Sequence, residues 1–190
     1  MALEREAVHT GSFDFVFNAY HEYVYNLAHV LLHDPQDAED VTQDVFLRVY
    51  KALPSYDPER ANMRTWLTSM VVNACKTQRR RTMLRRLWQR SPGEGEDTPD
   101  IVDLSPWGAP EDQALLAEVR RTVKEVLGRL KDEHRTVLVL HYYLDLSCPE
   151  IASVMECPEG TVHSRLHYAR RVLQAQLERR GVHLAKEVAL

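Results

Sequence analysis

Apolar residues recur at three- and four-residue steps through most of this chain, the period of helices that bury one side. Phe13, Val16, Phe17, Tyr20, Val24, Leu27 and Leu31 form a first stripe. Ala38, Val41, Val45 and Val49 form a second. The helix that carries them is expected to open with Asp34 as N-cap and Pro35 at its first position, where a missing N–H costs nothing. It runs to about Leu53. Pro54 and Pro58 then punctuate the loop "LPSYDPERANM". A third helix is expected from about Arg64 to Arg86, with Trp66, Met70 and Ala74 on one side.

Further on, Leu116, Val119, Val123, Val126, Leu127 and Leu130 make an amphipathic helix, and another follows from about Asp132 to Tyr143. In "SCPEIASVM", Ser147 and Glu150 have the S-x-x-E spacing of a capping box. After the short break "EC", Pro158 can start a last helix that reaches about Leu177. No strand-like alternation stands out, so the expected fold class is all-α. Between the halves lies "SPGEGEDTPDIVDLSPWGAP", with four Pro, three Gly, five acids and no basic residue. That is the composition of a flexible linker, too long for a tight connection inside a compact domain. The pattern predicts a helical domain over 1–90, an acidic linker over 91–110 and a second helical domain over 111–190.

The net charge of −4 conceals a strong segregation. Residues 1–70 carry −6, residues 71–90 carry +7 with no acid at all, residues 91–118 carry −8, and residues 119–190 carry +3. A protein of net negative charge makes a poor free-standing DNA binder, but local patches bind what the whole molecule repels. "MALEREAVHTG" has no apolar signal-peptide core, and no apolar run approaches the roughly 18 residues of a membrane span. Cys75, Cys148 and Cys157 are widely spaced, which suits a reducing compartment better than a disulfide framework. The expectation is a soluble cytoplasmic protein without membrane insertion.

Three stretches carry candidate chemistry. Ser147–Met155 and Pro158–Leu177, split by a tight break, form a helix-turn-helix pattern. Ile151, Ala152, Val154 and Met155 face inward from the first, and Val162, Leu166, Ala169 and Leu173 from the second. His163, Ser164, His167, Tyr168 and Arg171 then point outward, with Arg165 and Arg170 flanking the stripe within reach of phosphates. The basic run "KTQRRRTMLRR" gains from the macrodipole of its helix C-terminus. The seven positives of residues 71–90, without a counter-charge, nevertheless repel one another, which favours an anionic partner. Tyr56, Trp66 and Asn73 precede the run, and aromatic and amide groups beside basic ones suit single-stranded DNA. Core packing is the other reading of Trp66.

The third stretch is "DAEDVTQDVFLRVYK", whose Asp37, Asp40, Gln43, Asp44 and Arg48 fall off the apolar stripe. It is either a solvated face or a docking surface for a basic partner. His163 and His167, four apart on a helix, have a spacing that can chelate Zn²⁺, but Cys148 and Cys157 lack a C-x₂₋₄-C spacing. No metal site and no cofactor are expected. No Ser/His/Asp, nucleotide-loop or H-E-x-x-H pattern argues for an enzyme.

The order of these pieces resembles the extracytoplasmic-function (ECF) sigma factors of bacterial RNA polymerase, over about residues 12–178. "DAEDVTQDVFLRVYK" is similar to the family's most telltale segment, "WLTSMVVNACKTQRRR" to its minus-10 helix, and "SCPEIASVMECPEGTVHSRLHYARRVL" to its minus-35 helix-turn-helix. The resemblance implies that Asp40, Gln43 and Asp44 dock on the clamp helices of the polymerase β′ subunit. It implies that Tyr56, Trp66, Asn73, Lys76, Arg79 and Arg80 hold the melted minus-10 element of promoter DNA. Thr161, His163, Ser164, Arg165, His167, Tyr168 and Arg171 then meet the minus-35 element. It also implies an anti-sigma factor as a partner, able to hold the protein at the membrane, and an acidic linker running through the polymerase toward its active-site cleft.

The chain departs from the family pattern at Val72 and Thr77, where Arg and Asp are usual, and at His163 and Tyr168, where basic residues are frequent. Glu156 stands at a turn where Gly is common; there an L-residue in the left-handed region costs roughly 1–2 kcal/mol. Two other functions compete. A stand-alone helix-turn-helix regulator leaves the Asp37–Lys51 face unexplained. A DNA-processing enzyme needs a nucleophile or metal carboxylates near the basic run, where residues 71–90 hold no acid.

Overall fold

A computed structural model of the chain describes residues 13–89, 121, 123 and 125–179, with side chains through residue 85 in the first stretch. The chain divides into two compact units, one within 1–100 and the other within 101–190. The described residues are helical throughout, joined by turns, with no strand among them. The expected linker over 91–110, and Leu116 and Val119, lie outside the described residues.

The first unit packs α1 (Phe13–Leu32), α2 (Pro35–Ala52) and α3 (Met63–Gln89) against one another, with a 3₁₀ turn at Leu53–Ser55. α1 stops because His33 turns left-handed (φ 59°), and its N–H donates to the His29 carbonyl at 2.8 Å. Asp34 starts α2 at once, its Oδ1 accepting from the Asp37 N–H at 2.9 Å. Asn62 caps α3 in the same manner through the Thr65 N–H at 2.8 Å. The core is Val16, Val24, Leu27 and Leu31 from α1, Ala38, Val41, Val45 and Val49 from α2, and Leu67, Val71, Ala74 and Cys75 from α3.

Three expected stripe positions move. Trp66 and Met70 are half-buried beside the core row, which passes instead through Leu67 and Val71. Phe17 keeps 37% of its surface exposed and joins Phe13, His21, Phe46 and Tyr50 in an aromatic group along α1 and α2.

Polar struts fix α3 to its neighbours. The Asp37 carboxylate accepts from Gln78 Nε2 at 2.7 Å and from Thr82 Oγ1 at 3.3 Å. The Arg79 guanidinium donates to the Leu31 carbonyl at the C-terminal end of α1, where the macrodipole favours a cation. Tyr23 O–H meets Thr68 Oγ1 at 2.6 Å, and the Arg64 guanidinium lies 4.7 Å from the centre of the Tyr23 ring.

The second unit holds a helical stretch over 125–129, α4 (Asp132–Leu138) running into a π-helical turn at Val139–Tyr143, α5 (Cys148–Met155) and α6 (Glu159–Glu178). Val126, Leu127, Leu130, Val137, Leu140, Ile151, Val154, Val162, Leu166, Ala169 and Leu177 fill its core. At the start of α5 the Glu150 carboxylate accepts from the Ser147 Oγ–H at 2.6 Å and N–H at 2.8 Å. These bonds, side-chain first, hold the Glu150 carboxyl below its ordinary range. Because the folded value is depressed, the stabilisation is full above the unfolded value, near 4.3, and is lost as pH falls through the folded one. Urea midpoints of wild type and Glu150→Gln are expected to differ at neutral pH and to converge as pH falls through the folded value.

α5 ends in a Schellman motif. The Cys157 N–H donates to the Ala152 carbonyl at 3.1 Å and the Glu156 N–H to that of Ser153 at 3.4 Å, with Glu156 left-handed at φ 52°. The expected strain at Glu156 is therefore present. Glu156→Gly removes it while adding freedom to the unfolded chain. Thermal unfolding is expected to show a net gain of about 0.5–1 kcal/mol.

Candidate functional site

On α2, Asp40 and Gln43 are exposed and Asp44 is half-exposed, on the side opposite the buried row. Leu47 and Tyr50 share that side and keep 61% and 65% of their surface. The face is thus a mixed one, acids and an amide around an exposed leucine. Leu47 was hidden in the sequence because every residue of "VFLRVY" except Arg48 is apolar or aromatic. Asp44 lies 3.7 Å from Arg81, a solvated pair worth about 0–1 kcal/mol that leaves the carboxylate available. Asp37 does not belong to the face, since its carboxylate is spent on α3.

α3 turns a second face outward. Trp66, Asn73 and Arg80 are seven residues apart, a spacing that drifts only about 20° per step around a helix, and Lys76 lies beside them. Tyr56 reaches this row from the preceding loop. Its ring lies 4.9 Å from that of Trp66, and its O–H donates to the Ala61 carbonyl at 2.8 Å. Burial, with Tyr20 and Asp57 adding to it, raises the Tyr56 phenol above its ordinary value, so it stays a neutral donor. Trp66 is half-buried, so its indole both packs beside the core row and keeps an edge outward with Tyr56 as its aromatic neighbour. Arg79 has a partner inside the unit. Its guanidinium is turned to the Leu31 carbonyl, leaving Lys76 and Arg80 as the exposed cations of the row.

On α6, His163, Ser164, His167, Tyr168 and Arg171 are all exposed, and Thr161 is half-buried. The Tyr168 ring rests 4.4 Å from that of His134. Burial, opposed by Glu133, lowers His134 below its ordinary value and favours the neutral ring. Two flanking cations again have partners inside the unit. Arg165 Nη2 pairs with Glu133 at 2.8 Å, and the Arg170 Nε–H donates to Tyr142 Oη at 2.7 Å. His141 supports the second contact. Its Nδ1 lies 3.0 Å from the Leu146 carbonyl, leaving Nε2 to accept from Arg170 Nη2 at 3.1 Å. Arg165 and Arg170, expected within reach of phosphates, are turned to Glu133 and Tyr142 here, while Arg171 is exposed on the outer face. Among the described residues no group of three or more His, Cys, Asp or Glu can hold a metal ion.

Residues 16–85 match the family model for sigma-70 region 2, and residues 120–173 match that for sigma-70 region 4. The chain belongs to the ECF sigma factors of the sigma-70 family. It is 30% identical to the RNA polymerase sigma-H factor of Pseudomonas aeruginosa, across 88% of this chain and 86% of that one. It is also 30% identical to the ECF sigma factor SigW of Bacillus subtilis, across 85% and 87%. With the ECF sigma-E factor of Escherichia coli K12 it shares 31% identity across 75% and 74%.

Two solved structures share the fold. RpoE of Bartonella quintana, in complex with the anti-sigma factor NepR, has a TM-score of 0.68 at 22% identity, across 87% of this chain and 96% of that one. CnrH, in complex with the cytosolic domain of CnrY, has a TM-score of 0.61 at 23% identity, across 93% and 96%. The protein is thus an ECF sigma factor that binds core RNA polymerase and directs promoter recognition at transcription initiation. Such factors bind DNA and start transcription rather than act as enzymes. The matches favour this reading over a stand-alone regulator, and no described helix is long and apolar enough to cross a membrane.

Proposed function

We propose that the sigma factor divides its work among the three faces. Asp40, Gln43 and Asp44, joined by Leu47, dock on the β′ clamp helices of core polymerase. Tyr56, Trp66, Asn73, Lys76 and Arg80 hold the melted minus-10 strand, with Arg79 acting as a strut behind them. Thr161, His163, Ser164, His167, Tyr168 and Arg171 read the duplex minus-35 element, and Arg165 positions α6 against α4. The observation that carries this reading is the exposed face of α2 opposite its buried row, with Leu47 bare at its centre, beside outward rows on α3 and α6 that each carry exposed cations. An exposed leucine ringed by acids and an amide fits a protein surface with basic and apolar residues better than it fits water.

The proposed domain limits are 1–90, 91–110 and 111–190, around the two matched regions. An anti-sigma factor is proposed as the regulatory partner, as RpoE has one in NepR, and the cytoplasm as the place of action. Run-off transcription with core polymerase over a promoter library tests the whole reading. Transcripts are expected only when the protein is added, from promoters sharing a minus-35 and a minus-10 element. Transcript patterns indistinguishable from core polymerase alone would refute it.

A further inference from the structure

The helix-turn-helix contains a thiol chemistry that DNA reading does not use. Cys148, the first residue of α5, has its Sγ 3.8 Å from His163 Nδ1, and His163 Nε2 lies 3.3 Å from Glu159 Oε1. A carboxylate only accepts, so Nε2 carries the proton and the Nδ1 lone pair faces the thiol. A nucleophile, a base within reach and a carboxylate that orients the base is the arrangement that activates a cysteine. The position at the start of α5 adds the positive end of a helix dipole. All three side chains are solvent-accessible.

The other two cysteines lack this arrangement. Cys75 is buried in the first unit, and burial raises its thiol to about 12, which keeps it inert. Cys157 lies 3.8 Å from Arg165 Nη1, but that guanidinium is already paired with Glu133 and cannot take up a proton.

We propose that Cys148 is a thiol-modification site, exchanging with low-molecular-weight disulfides, and that the resulting adduct closes the minus-35 face. The inference rests, for its consequence, on the reading of α6 as the minus-35 helix. In the exchange His163 Nδ1 takes the Cys148 proton, and Sγ attacks one sulfur of the disulfide. The new S–S bond forms as the old one breaks, and the departing thiolate leaves with the electron pair and recovers the proton from the imidazolium. Cys148 is oxidised and the released thiol is the reduced half; a second thiol reverses the reaction. An adduct of tripeptide size puts bulk and carboxylates beside His163, where phosphates must approach, so it opposes DNA both sterically and by charge.

The test uses the full-length protein and glutathione disulfide, with each cysteine followed by mass spectrometry. Cys148 is expected to form the mixed disulfide at least tenfold faster than Cys157, and Cys75 not to react in the folded protein. His163→Gln should slow Cys148 at least fivefold while leaving Cys157 unchanged, and a dithiol reductant should restore the starting mass. Equal rates at Cys148 and Cys157, or a Cys148 rate indifferent to His163→Gln, would overturn the site.

The consequence is read with core polymerase on promoters with intact and scrambled minus-35 elements. Glutathionylated protein should lose its preference for the intact element, and Cys148→Ser should keep it through the same treatment. A modified protein that keeps the preference overturns the coupling. Failure of the minus-35 reading itself would show separately, as an unmodified His167→Ala that selects the same sequences as wild type.

Discussion

Replacing Asp40 and Gln43 together by alanine is expected to weaken binding to core RNA polymerase by roughly 2–4 kcal/mol, thirtyfold or more, while leaving the melting temperature nearly unchanged. The two effects separate because neither side chain touches the buried row of α2, whereas both sit on its exposed side beside Leu47. Leu47→Ala should act in the same direction without removing any charge. Together these variants distinguish an interface with an apolar centre from a purely electrostatic attraction, which salt would screen. The measurement is a fluorescence titration of labelled sigma factor with core enzyme at two ionic strengths. Wild-type affinity in the double variant would remove the docking assignment.

The second large effect is expected at Asn73. Its side chain lies between Trp66 and Arg80 on the outward row of α3, well placed to meet a base that has left the duplex. Asn73→Ala should spare binding of the closed promoter but slow its opening by roughly 1–3 kcal/mol, seen as lost permanganate reactivity of unpaired thymines. Templates already mismatched through the minus-10 element should partly rescue it, since the cost of unstacking has been removed from the reaction. An Asn73→Ala protein that opens duplex promoters at the wild-type rate would move the minus-10 site off this row.

Much of this was legible locally. The α2 row of Ala38, Val41, Val45 and Val49 has one apolar side, so its period admits a single orientation, and the Asp34 and Ser147–Glu150 caps depend on neighbours within three residues. α3 was harder because it is apolar on two sides. Trp66–Met70 and Leu67–Val71 have the same spacing, and only packing against α1 and α2 selects the second pair. The arginines were harder still. Arg79, Arg165 and Arg170 find their partners 48, 32 and 28 residues away, and no local pattern separates a guanidinium that braces a fold from one that awaits a phosphate. The π-helical turn after α4 was likewise silent in the sequence, because it closes the helix and no following turn reports the shift in spacing.

If α2 and α3 act as proposed, the Asp37 bridge to Gln78 and Thr82, with the Arg79 anchor on α1, has a bearing on where transcripts begin. It ties the helix that would grip the polymerase to the helix that would grip the opened strand, inside one unit. The offset between grip and strand is then a built-in dimension of the folded protein, set before any promoter is met. Counting from the minus-10 element to the first transcribed base becomes a matter of carpentry rather than of search. Loosening that joint would leave each grip intact and blur the starting nucleotide.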